Sequence, residues 1–174
     1  TADNGAEILA FDRLEKFKHW SSGKFRGVKR DLFEGGHRVP FIIRWPNKIK
    51  AGSHSDEVVN QVDFAATFAR IIGYKLKDKE AIDSYNLLPV LQGETFKSPL
   101  RVATVQNTNK GEYALRQGDW VLIDTASGAV RKEPVAYLHH FGLPSYTKDN
   151  PGLLYNLRND PRQTKNRYNE EPER

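Results

Sequence analysis

The 174 residues are enough for one domain with a core of its own, although a hydrophobic content of 38% is low for a globular chain. No run approaches the ~20 apolar residues that a membrane-spanning helix needs, and with no cysteine there is no disulfide framework, thiolate metal site or cysteine nucleophile. The formal charge of +5, from 27 Lys and Arg against 22 Asp and Glu, favours an anionic partner. These bases are interleaved with acids and carry no reader motif or aromatic stacking array, so nucleic acid is not an expected partner.

In chain order, Asp3-Asn4-Gly5 is a turn signal. Behind it Ile8, Leu9, Phe11, Leu14 and Phe17 recur near helical spacing until Ser21-Ser22-Gly23, which reads as a short helix or structured loop. Val39 to Trp45 is β-branched and aromatic between Pro40 and Pro46, the pattern of a buried strand. Val58, Val62, Ala65, Phe68, Ala69 and Ile72 share a helical face, with Gly73 where a left-handed C-terminal cap belongs. From Pro99 onward, 101–106, 112–116 and 120–124 read as short strands joined by hairpins through Gly111 and Gly118. Residues 153–157 are a fourth strand, and 125–152, with His139-His140, is a long irregular segment of the kind that carries function. The charged last dozen residues read as surface. The expected architecture is α+β with a small four-stranded antiparallel sheet, divided into 1–98 and 99–174.

Asp3 and Asn4 offer two hard oxygen donors side by side, the chemistry of Ca²⁺ or Mg²⁺ sites, yet the same triplet is a common turn and calcium takes about six to eight oxygens. Lys29, between Gly27 and Glu34-Gly35-Gly36, suits a sulfate or phosphate oxygen; an ordinary surface lysine has the same appearance. His37 follows the glycines and is either a site residue or a packed histidine. His139-His140 has no partner at metal-ligand spacing. No Gly-x-Ser-x-Gly elbow, phosphate-cradling loop or His-Glu-x-x-His pair is present. On residues alone, the chain is a basic, anion-friendly domain.

Several segments in order resemble the sulfatase family, in the manner of arylsulfatase A and the alkaline phosphatase superfamily. Thr1-Ala2-Asp3-Asn4-Gly5 matches a strand end of the form Ser/Thr-x-Asp-Asn-Gly, and Glu34-Gly35-Gly36-His37-Arg38-Val39-Pro40 matches Glu-Gly-Gly-x-Arg-x-Pro. Arg44-Trp45-Pro46 and Leu87-Leu88-Pro89-Val90-Leu91-Gln92-Gly93 continue the pattern, as does Asp63-Phe64-Ala65-Ala66-Thr67 with Ala66 in place of the usual proline. Ala114 to Trp120, Leu154-Tyr155-Asn156-Leu157, Asp160-Pro161 and Asn166 complete it.

The resemblance implies the C-terminal part of an alkaline phosphatase-like sulfatase, an α/β fold, and hydrolysis of sulfate esters by the complete protein. It implies that Asp3 and Asn4 bind part of a Ca²⁺ site and that Lys29 contacts the substrate sulfate. His37, His139 and His140 are candidate substrate contacts. It also implies a missing N-terminal part as partner, with a formylglycine nucleophile upstream, because Cys/Ser-x-Pro-x-Arg has no counterpart here. The substrate would be a sulfate ester, a sulfated glycan among the options, and the location periplasmic or secreted on family grounds, since Thr1 opens without a leader pattern. The chain alone is then expected to be inactive; if it is a truncation that has lost its sheet, it is instead poorly stable and prone to associate through Val39 to Ile43. Two other functions remain open: a phosphonate or phosphate ester hydrolase of the same superfamily, and a non-catalytic basic module binding sulfated glycans.

Overall fold

The computed structural model describes residues 1–144 and 151–173, which form two compact units. The first comprises 1–41 with 105–174, and the second comprises 42–104.

In the first unit, α1 (Leu9–Phe17) buries Ala10 and Leu14, an i,i+4 pair on one face. A second helix lies inside the segment read as irregular: α5 (Val135–Phe141) buries Tyr137 and Phe141, again four apart. Gly142 (φ +66°) ends it, with the N–H groups of Gly142 and Leu143 closing on the carbonyls of His139 and Leu138. The helical spacing in α5 is only two apolar pairs long, too short to stand out from a loop. The two helices pack together with Trp20 and Val28 in one apolar cluster, where Trp20, Tyr137 and Phe141 meet at tilted and edge-on angles.

The expected antiparallel sheet is present as β1 (Ala103–Asn107), β2 (Tyr113–Gln117), β3 (Trp120–Ile123) and β4 (Leu153–Asn156), in the order β1-β2-β3-β4. Gly118 (φ +57°) makes the β2–β3 turn. Register pairs Ala114 with Ile123 and Val121 with Tyr155, which puts all four on one face. That face closes over Leu32 and Phe33 to form the second apolar cluster. The tail departs from its surface reading at Gln163, which is 0% exposed, because its side-chain and backbone carbonyls are both used by buried donors upstream.

The short helix α2 (Glu34–His37) replaces a simple glycine turn. Gly35 and Gly36 are needed there because a Cβ on Gly35 would collide with the carbonyls of Arg26 and Gly27, and one on Gly36 with those of Val28 and Asp31.

The second unit holds α3 (Asp63–Ile71) and α4 (Leu88–Leu91) packed together. Gly73 caps α3 as its position suggests, with φ +73° and the N–H of Tyr74 reaching the Ala69 carbonyl at 2.8 Å. The buried side of α3 coincides with the apolar stripe only at Ala69. Phe68 is 59% exposed and Ile72 77%, while Asp63, Ala66, Thr67 and Ala69 are buried. Asp63 faces inward because it is fully satisfied: it pairs with Arg101 and accepts the N–H groups of Asn60 and Tyr85 at 2.7 and 2.9 Å. Thr67 relays a second link, donating to the Asp63 carbonyl and accepting the N–H of Leu87.

The expected strand from Val39 to Trp45 is not formed, and Ile42 is 83% exposed. Pro40 and Pro46 supply no ladder donors, and this segment pairs with no strand of the four-stranded sheet among the described residues.

Candidate functional site

The basic loop 26–37 is held between the two apolar clusters of the first unit. Val28 enters the α1–α5 cluster, and Leu32 and Phe33 enter the sheet cluster, so Lys29, Arg30 and Asp31 form the short span between two anchors. Polar groups complete the clamp. The Gly27 N–H donates to the Tyr137 hydroxyl at 2.8 Å and the Leu32 N–H to the Gly128 carbonyl at 2.8 Å. Arg26, buried on the Phe33 ring, makes a forked pair with Glu133 at 2.9 and 3.1 Å and donates to the Gln163 carbonyl. Burial works against the Arg26 charge, but Glu133 outweighs it and holds the guanidinium above its usual range. Burial also pushes the Tyr137 hydroxyl up.

Asp31 spans the loop and its neighbour, accepting the N–H groups of Val28 at 2.9 Å and Val130 at 3.0 Å. Even with both bonds, burial raises its carboxyl to about 6. Arg30 stands in the left-handed region at φ +81°, a strained backbone for a side-chain-bearing residue, next to Lys29.

The N-terminal turn docks on this loop through the backbone. The Gly5 N–H donates to the Gly36 carbonyl at 2.9 Å, and the Lys29 N–H to the Ala6 carbonyl at 2.7 Å. A Cβ on Gly5 would strike the Gly35 carbonyl, so only glycine lets the two segments approach. The segments that carry Asp3-Asn4, Lys29 and His37, up to 34 residues apart in sequence, are thereby joined through their backbones. Among the described residues no bond ties His139 or His140 to those segments: they lie on α5, where the His140 ring sits against Trp20 and Phe141. Burial, then Arg162, lowers the His140 imidazole.

The Lys29 ammonium lies 3.5 Å from Glu7 and is about one-third exposed; Arg30 reaches the same Glu7 oxygen at 3.2 Å. Glu7 is a site neighbour that nothing in the sequence pairs with Lys29. The Ile8 N–H, with Arg30 and Lys29 beyond it, holds the Glu7 carboxyl below its usual value.

Asp3 and Asn4 present hard oxygens on a pinned turn, and neither side chain is committed to a hydrogen bond or ion pair among the described residues. That donor set fits Ca²⁺ in kind. It does not fill a shell, since no group of three or more His, Cys, Asp or Glu able to hold a metal occurs among the described residues.

Glu34, in α2, is 2% exposed and collects two guanidinium groups and the His37 ring. His37 Nε2 lies 3.4 Å from one oxygen, and Arg38 and Arg116 lie 3.0 and 3.4 Å from the other. Burial alone would raise this carboxyl, but His37, then Arg116 and Arg38, hold it below the usual value. The Gln163 side-chain carbonyl accepts the Glu34 N–H at 2.8 Å.

Residues 23–117, more than half of the chain, match the C-terminal family of N-sulphoglucosamine sulphohydrolase. The chain belongs to the sulfatase family. It is 29% identical over 171 residues to an N-acetylgalactosamine-6-O-sulfatase of Bacteroides thetaiotaomicron, covering 98% of this chain and 31% of that one. To human arylsulfatase A it is 30% identical over 165 residues, covering 92% and 31%. A sulfatase structure solved in work on glycosaminoglycan metabolism by Bacteroides thetaiotaomicron superposes with a TM-score of 0.74 at 30% identity, over 99% of this chain and 35% of that one. Another, solved with its substrate D-glucosamine-2-N,6-O-disulfate, gives a TM-score of 0.60 at 27% identity over 84% and 27%. The sulfatase fold expected from the sequence is therefore the fold observed. The chain spans about a third of the length of these sulfatases. No helix among the described residues is long and apolar enough to cross a membrane.

Proposed function

We propose that this chain supplies the sulfate-binding loop and part of the calcium site of an enzyme that hydrolyses sulfate esters. The observation that supports the reading is the pair of backbone bonds, Gly5 to Gly36 and Lys29 to Ala6, that joins the segment carrying Asp3 and Asn4 to the one carrying Lys29. Lys29 would meet a sulfate oxygen as negative charge grows there, a fixed cation that needs no reorganisation during the reaction. Sulfate binding would then exchange one anionic partner of Lys29, Glu7, for another. Asp3 and Asn4 would hold Ca²⁺, with the rest of the shell contributed by other parts of the complete protein. When bound, the ion supplies further positive charge to the sulfate oxygens. His37, adjacent to Gly36 at the docking point, would contact the substrate next to the sulfate.

The chain has no cysteine and no Cys/Ser-x-Pro-x-Arg segment from which a formylglycine nucleophile could form. Its own residues bind and orient but supply no such nucleophile, so the isolated chain is expected to show no turnover. The favoured substrate class is a sulfated glycan, supported by likeness to relatives named for sulfated amino sugars. A periplasmic or secreted setting accords with such substrates.

Titration of the chain with inorganic sulfate, followed by NMR, tests the reading at Lys29. Lys29→Ala is expected to weaken binding by about tenfold, the loss of one charge-assisted contact. Equal affinity in the variant would remove Lys29 from the site. Assay of the complete protein on matched sulfate and phosphate esters separates the sulfatase from a phosphate or phosphonate ester hydrolase, and a preference for phosphate would overturn the first.

A further inference from the structure

We infer that Glu34 is a positioning residue of the anion site: it fixes the Arg38 and Arg116 guanidinium groups and the His37 ring as one oriented set beside the docked Asp3-Asn4-Gly5 turn. The inference rests on the sulfate-site reading above for its ligand class, an oxyanion substituent of the substrate.

Three observations support it. First, the carboxylate is buried while its partners are not: the side chains of Arg38 and Arg116 and the ring of His37 are each partly exposed. One negative charge faces two guanidinium groups, so the outward face of the cluster is cationic. Second, the partners come from separate parts of the first unit. His37 and Arg38 are at the end of α2, whereas Arg116 is on β2, 82 residues away from Glu34 in sequence; Arg38 also stacks on the Phe25 ring and Arg116 donates to the Gly118 carbonyl, and the two arginines share one Glu34 oxygen. Third, the carboxylate is the polar contact of the His37 ring, since the buried Nδ1 has no hydrogen-bond partner among the described residues. Glu34 itself is held at both ends of its peptide unit, its N–H by Gln163 and its carbonyl by the Arg38 N–H at 2.7 Å.

The sign of one substitution separates positioning from simple charge. Coulomb's law alone says that removing a carboxylate close to an anion site strengthens anion binding. Positioning says the reverse, because long arginine side chains released from Glu34 must be ordered again when the ligand arrives.

The test is NMR of the 174-residue chain titrated with inorganic sulfate, reading arginine Nε–H and histidine ring signals in the parent, Glu34→Gln, Glu34→Asp and Lys29→Ala. Sulfate is expected to shift the His37, Arg38 and Arg116 signals in the parent. Glu34→Gln should bind about fivefold more weakly and Glu34→Asp within about twofold of the parent. The parent measurement needs no variant to fold. If sulfate moves Lys29 but leaves the three side chains unmoved, or if Glu34→Gln binds as tightly as the parent or more so, the inference is wrong and the sulfate-site reading stands. If the three side chains respond and depend on Glu34 while Lys29→Ala changes nothing, Glu34 keeps its role and the Lys29 reading falls. No response at any of these residues overturns both.

Discussion

Asp31 sits at the centre of the basic loop with burial opposing its charge. Its carboxyl is raised from 3.8 to about 6 in the fold. The folded state therefore holds a proton that the unfolded chain has released between those values, and stability falls as pH rises through that window. The difference of about 2 pH units is worth about 3 kcal/mol, fully lost above pH ~6. Urea unfolding at pH 4 and pH 6.5 is expected to show this decline, and Asp31→Asn to flatten it; an unchanged slope in the variant would assign the effect elsewhere. Glu34 acts in the opposite sense. Its lowered carboxyl stabilises the fold above the ordinary carboxylate range and ceases to do so as pH falls through its folded value. Two buried acids on one loop thus have opposed pH dependences because one is bonded by backbone N–H groups and the other faces two guanidinium groups and the His37 ring. Neither contrast is visible in the sequence, where both are single acids among bases.

At the scale of elements, glycine separates two kinds of constraint. Gly36 in α2 has its would-be Cβ against the carbonyls of Asp31 and Val28, whereas Gly142 at the end of α5 has open space around it and only a positive φ to justify glycine. Gly36→Ala is expected to cost about 3 kcal/mol or more, since backbone must move. Gly142→Ala should cost about 1 kcal/mol, the left-handed penalty alone. Comparable losses in thermal or urea unfolding would mean the α2 loop yields to the added methyl group. The apolar pattern of α3 misidentifies its buried side for a related reason. Periodicity scores carbon, while a fully hydrogen-bonded Asp63 with an Arg101 partner is as buriable as a leucine. The strand that Val39 to Trp45 suggests fails because strand propensity is only realised with a ladder partner.

For the molecule as a whole, the second unit leaves Ile42, Phe68 and Ile72 exposed on a chain that is about a third the length of its sulfatase relatives. Exposed apolar side chains of this size promote association. The chain is expected to self-associate at high concentration, and Ile42→Ser with Phe68→Ser to lower the mass measured by light scattering; a parent that stays monomeric would remove the premise. The motif order, the basic loop, the α1 region, the Gly73 cap and all four strands were legible in the sequence by itself. Each depends on local periodicity, turn chemistry or a contiguous motif, which are properties of neighbouring residues. Tertiary structure alone decided that the Asp3-Asn4-Gly5 turn docks on Gly36, that Glu7 faces Lys29, that Glu34 joins Arg116, and that Gln163 reaches α2 from the tail. Those pairings join residues 22 to 129 positions apart in sequence, and no local pattern encodes which distant backbone carbonyl or carboxylate a group will find once two apolar clusters have closed around the loop between them.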